Sequence, residues 1–102
     1  MSHPTAADLV SASRAYVLAT KRREPTDEHR RALADADQAA LDALDRDAAL
    51  AFWVNVYNAA VQDDLRRDPD IFADKSRLFG EPRLAVAGHD LSLDDVEHGI
   101  LR

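Results

Sequence analysis

The stretch from Leu50 to Gln62, LAFWVNVYNAAVQ, constrains this chain more than any other. On a helix its apolar residues would cover most of the circumference, and such a helix is predicted to be central, with other elements packed around it. Three amides interrupt the pattern. Asn55, Asn58 and Gln62 fall with Ala51 at i, i+4, i+7 and i+11, a narrow stripe along one side. A buried amide without a partner costs roughly 1–3 kcal/mol. The stripe is therefore expected to meet backbone groups of a packed loop or hairpin, or to line a cleft where amides orient a substrate or a histidine. The two readings are compatible.

Signals on either side set the length of this helix. Asp45 or Asp47 can cap its start, while Arg66 and Arg67 suit the negative end of its dipole and Pro69 stops it. Upstream, Thr5 and Asp8 form an N-cap pattern, and Leu9, Ser13, Tyr16, Val17 and Thr20 share one face, which predicts a helix from Ala6 to Arg22. Pro25 ends it by excluding Glu24 from helical geometry, and Thr26 is expected to cap a short helix over Asp27 to Ala34. A further helical turn is predicted in Gln38 to Leu44.

Beyond Pro69 the reading is a connection with one helical turn, pinned by Ile71, Phe72, Leu78 and Phe79. Leu84 and Val86, then Leu91 and Leu93, alternate about a turn at Gly88, His89 and Asp90, which predicts a short hairpin. Ser92 with Asp95 is a capping box that starts a last helix. The expected fold class is α+β and predominantly α-helical: a long central helix, surrounding short helices and one β-hairpin.

Composition narrows the function. A chain of 102 residues with 46% hydrophobic and 31% charged residues, 19 alanines and few Gly or Pro is a single folded, helix-rich domain. The formal charge of −6 argues against a nucleic-acid partner, which needs a basic stripe. Asp outnumbers Glu by 15 to 4 and Arg outnumbers Lys by 11 to 2, a bias that speaks to solvation. The absence of cysteine excludes a disulfide, a thiolate nucleophile or a cysteine-ligated metal within these residues. No apolar run reaches the roughly 18 residues of a membrane span and no signal-peptide layout opens the chain, so no membrane partner is expected and the compartment is read as cytoplasmic. His3, His29, His89 and His98 lack metal-ligand spacing, and Gly80, Gly88 and Gly99 are isolated, so no metal, phosphate loop or cofactor is expected. The pairs Arg22–Arg23 and Arg30–Arg31 are read as solvated helix ends.

LAFWVNVYNA and VAGHDLSLDDVEHGILR, in that order, resemble the domain of unknown function 547 family, whose members look like AFWINLYNA followed by an SLDDIEHGILR-type segment. The residues that carry the resemblance are Phe52, Trp53, Asn55, Tyr57 and Asn58, then Ser92, Leu93, Glu97, His98, Leu101 and Arg102. The N-terminal helices are compatible with it, so the resemblance extends over the whole chain. It implies that residues 1–102 form the N-terminal part of a longer domain, whose remainder includes a segment similar to ALNCGSxSCP. It implies no established activity. The apolar residues Phe79, Ile100 and Leu101 are then expected to be covered by that C-terminal remainder or by a homo-oligomer.

His98 is the foremost candidate for chemistry. Asp94 precedes it by four residues, so on a helix a carboxylate could orient its imidazole. With a cysteine of the kind the resemblance implies, His98 would serve as general base of a thiol hydrolase or acyltransferase, Glu97 as a second catalytic candidate, and Asn55, Asn58 and Asp94 as site-lining groups. Against this stands a structural role in which Glu97 and His98 hydrogen-bond to the hairpin and fix the helix entry. A noncatalytic helical binding module is the remaining alternative, so enzyme activity is left open.

Overall fold

A computed structural model describes residues 5–73 and 80–101, with the side chains of residues 71, 72, 83 and 98–101 outside the description. Helix α1 spans Ala6–Lys21, α2 Asp27–Ala34, α3 Gln38–Asp42 and α4 Arg46–Arg67. A 3-10 turn, Pro69–Ala73, leads towards strands β1, Pro82–Val86, and β2, His89–Ser92, and helix α5, Leu93–Leu101, follows. The fold is α+β and mostly helical, with one two-stranded antiparallel hairpin.

Side chains at the helix entrances explain these boundaries. Thr5 and Asp8 form a reciprocal capping box at α1, with bonds of 2.8 and 3.2 Å. Asp45, rather than Asp47, caps α4 by accepting from the Ala48 N–H at 2.7 Å. Ser92 and Asp95 close the box at α5, at 2.9 and 3.1 Å. Each satisfies N-terminal donors that a helix cannot bond internally.

Helix α4 is the axis of the core, packing on α1, the hairpin and α5. Phe52, Val56, Ala59 and Ala60 are its buried apolar residues, and they join Leu9, Tyr16, Leu33, Leu84, Val86, Leu93 and Val96. The helix is not enclosed on every side. Leu50 and Val54 are 47% and 36% exposed and Trp53 is half-buried, so the deep aromatic is Phe52, edge-on to Trp53 with ring centroids 5.0 Å apart.

Two backbone features depart from the expectations. Helix α1 ends in a Schellman arrangement, with the Arg23 N–H donating to the Thr20 carbonyl at 3.2 Å and the Glu24 N–H to Ala19 at 2.9 Å. The left-handed position of that motif, where glycine is usual, holds Arg23 at φ 58°. The hairpin turn is Ala87–Gly88, one residue earlier than predicted, with φ of 51° and 79° at its two residues, as a type I′ turn requires. Its N–H groups are put to use: Ala87 donates to the Leu33 carbonyl and Gly88 to the Ala34 carbonyl, each at 2.9 Å, so the hairpin caps the C-terminus of α2. The expected pinning residues Leu78 and Phe79, with the side chains of Ile71 and Phe72, lie outside the described residues.

Candidate functional site

The amide stripe does not form one surface. The Asn55 amide donates to the Ser13 hydroxyl at 3.2 Å, and Ser13 itself donates to the Val10 carbonyl at 2.7 Å, so this amide ties α4 to α1. Asn58 and Gln62 are exposed. Among the described residues the partner of the stripe is α1, through Ser13, rather than a packed loop or the hairpin, and it engages Asn55 alone.

The buried polar chemistry of α4 lies one residue further along. Asp63 is 3% exposed and accepts from the Tyr16 hydroxyl at 3.0 Å, from the Thr26 hydroxyl at 2.9–3.0 Å and from the Arg30 guanidinium at 2.7 Å. Arg67, one turn on, adds its charge at 3.7 Å. Burial pushes the Asp63 carboxyl up. The bonds from Arg30 and Thr26, the charge of Arg67 and the bond from Tyr16 outweigh that, and hold it below the usual carboxylate range. The Tyr16 phenol moves the other way, raised above all by burial, then by Asp63 against the pull of Arg30.

Two sequence expectations are corrected here. Thr26 stands at the N-cap position of α2 without a side-chain cap bond, because its hydroxyl serves Asp63. Arg30 is not a solvated helix end but a partly buried partner of the same carboxylate. A signal for this hub was present: Phe52, Val56, Ala59 and Asp63 stand at i, i+4, i+7 and i+11, the stripe next to the amides.

Of the remaining motif residues, Tyr57 on α4 lies within electrostatic range of α5, which packs against that helix. Tyr57 is half-buried, and burial, then the carboxylates of Glu97 and Asp94, push its phenol up. A phenol held neutral in this way is a hydrogen-bond donor through the neutral range. Asp94 and Glu97 are both exposed on α5, and the charges of both act on Tyr57. His98 belongs to α5 one turn beyond Asp94, and its side chain lies outside the described residues. The face therefore offers a donor beside two carboxylates. Among the described residues no three His, Asp or Glu side chains converge as a metal site. No helix of the described residues is long and apolar enough to cross a membrane.

Taken together, these features define a helix-dominated α+β domain with a buried carboxylate hub and a polar α4–α5 face. The family model described as "Protein of unknown function, DUF547" matches residues 41–102, more than half of the chain. The chain belongs to the DUF547 family. The match takes in α4, the hairpin and α5 and leaves out α1 and α2, so it is narrower than the whole-chain resemblance. No curated protein and no solved structure matches the chain.

Proposed function

We propose that the α4–α5 face is one wall of a hydrolase- or acyltransferase-like site, completed by a thiol from the C-terminal remainder of the domain. The observation that carries this reading is the contrast between the motif residues. Asn55 is occupied by Ser13, whereas Asn58, Asp94 and Glu97 stay exposed on two packed helices beside Tyr57. Family-type polar residues that the fold does not use are the ones available to a substrate.

In this scheme His98 takes the thiol proton as sulfur attacks an acyl carbonyl, and returns it to the leaving group as the carbon–leaving-group bond breaks; water then repeats the exchange. Asp94 orients the imidazole, Glu97 shares the acidic surround, and Tyr57 and Asn58 donate to substrate oxygens. Asn55 acts behind the site by fixing α4. The test is alkylation of the natural full-length protein by iodoacetamide across pH. A reactive thiolate that His98→Gln slows by about 10²-fold or more at neutral pH is the expected outcome. A full-length protein without a cysteine, or one whose alkylation profile ignores His98, would leave the noncatalytic binding module in its place.

A further inference from the structure

A cleft between the C-terminal ends of α1 and α4 belongs neither to the α4–α5 face nor to the interior of the Asp63 hub. It measures about 360 Å³ and is lined by Thr20, Arg23, Gln62, Leu65, Arg66 and Pro69. That volume falls within the roughly 300–1,000 Å³ of small-molecule sites. Its charged lining is two arginines, with no carboxylate among the lining residues, in a chain of formal charge −6.

Arg66 suits the negative end of the α4 dipole, and beyond that role both arginines line the cleft. Arg23 occupies the left-handed position that ends α1, at φ 58°, where glycine is free of strain. Nothing in the backbone calls for an arginine at that point, yet the position places its exposed side chain at the cleft. Arg66 donates from Nη1 to the Glu24 carbonyl at 3.0 Å and from Nη2 to the Arg23 carbonyl at 2.6 Å. Those bonds fix the guanidinium plane and leave further N–H groups of the same fork for a ligand. A guanidinium fixed in advance loses little freedom when it binds. Gln62 supplies an amide donor, and Leu65 and Pro69 an apolar wall.

We propose that this cleft binds a small oxyanion, a carboxylate or phosphate group, gripped by Arg23, Arg66 and the Gln62 amide, with a short apolar attachment on Leu65 and Pro69. Planar, charge-assisted recognition of this kind is what arginine forks provide. The same chemistry can come from a free small anion or from an acidic side chain of another protein, and the experiment separates the two.

The test is a nuclear magnetic resonance titration of the whole chain with inorganic phosphate, with butyrate, and with a capped tri-glutamate peptide, each against chloride at matched ionic strength. Expected are saturable shifts at the Gln62 side-chain amide and at the Arg23 and Arg66 Nε–H groups. Arg23→Gly keeps the backbone conformation and should weaken phosphate binding about tenfold or more, as loss of a charged hydrogen-bonding partner does. Gln62→Leu should weaken it less. Tighter binding of the peptide than of either small anion assigns the cleft to a protein partner, and the reverse order assigns it to a free anion; either supports the site. Shifts no larger than those from chloride, or an Arg23→Gly variant that binds phosphate as the parent does, overturn it.

Discussion

Asp63 shows how much one side chain can organise when it is buried with its partners. Donors from α1 and α2 converge on its carboxylate, and Arg67 of α4 itself adds a charge. A buried ion pair is weak evidence of net stability, because desolvation offsets most of the attraction, but removing one member leaves the others buried without compensation. Asp63→Ala is expected to lose about 3–5 kcal/mol by chemical denaturation. Tyr16→Phe and Thr26→Val, which remove two donors to one acceptor, should depart from additivity by about 0.5–3 kcal/mol in a double-mutant cycle. Strict additivity would mean that the groups do not act as one network. The core residue to probe is Phe52: Phe52→Ala should cost about 3–5 kcal/mol and Trp53→Ala less, since Trp53 is half-buried. The hub was hard to read in the sequence for a physical reason. In a chain with 15 aspartates, a carboxylate on a helix reads as surface unless its phase against Phe52 and Val56 is followed, and its donors lie 33 to 47 residues away.

At the scale of elements, the helices were legible because their starts are written in local chemistry. Thr5 with Asp8, Asp45 with Ala48, and Ser92 with Asp95 bond within a few residues, so sequence spacing alone finds them. The ends that escaped are the ones made by tertiary contact. No local pattern tells that Thr26 turns from its cap to Asp63, or that the Ala87–Gly88 turn caps α2 across the chain. That turn gives a clean test of backbone strain. A Cβ added at Gly88 meets nothing within 4 Å, so Gly88→Ala changes little but the ease of reaching φ 79°. It should lower stability by about 1 kcal/mol with an unchanged denaturant slope. Arg23→Gly, at φ 58°, should do the opposite and raise stability by about 1 kcal/mol. A destabilised Arg23→Gly would show that the arginine side chain contributes more to the fold than its strained backbone takes away.

Over the whole molecule the hub joins what the family match separates, since Asp63 and Arg67 lie in the matched segment while Tyr16, Thr26 and Arg30 belong to the helices before it. Two of its shifted groups, Asp63 and Tyr16, also set how stability varies with pH, and the signs follow from linkage. Asp63 has a folded pKa below its unfolded value of about 3.9, so its contribution is complete above that pH and is lost as pH falls towards the folded value. Tyr16 has a folded pKa above its unfolded value of about 10, so its contribution is complete below that pH and is lost as pH rises, because only the unfolded chain releases the proton easily. Denaturation midpoints measured in steps of pH should therefore fall at both extremes. Asp63→Asn should flatten the acid limb and Tyr16→Phe the alkaline limb, each from a lower plateau at neutral pH. Because the hub fastens α1 and α2 to the central helix, helix content and aromatic environment should be lost together at either limb. If α1 and α2 melted at a milder pH than α4, or if the acid limb survived unchanged in Asp63→Asn, the hub would not be the fastening that makes this chain a single cooperative unit.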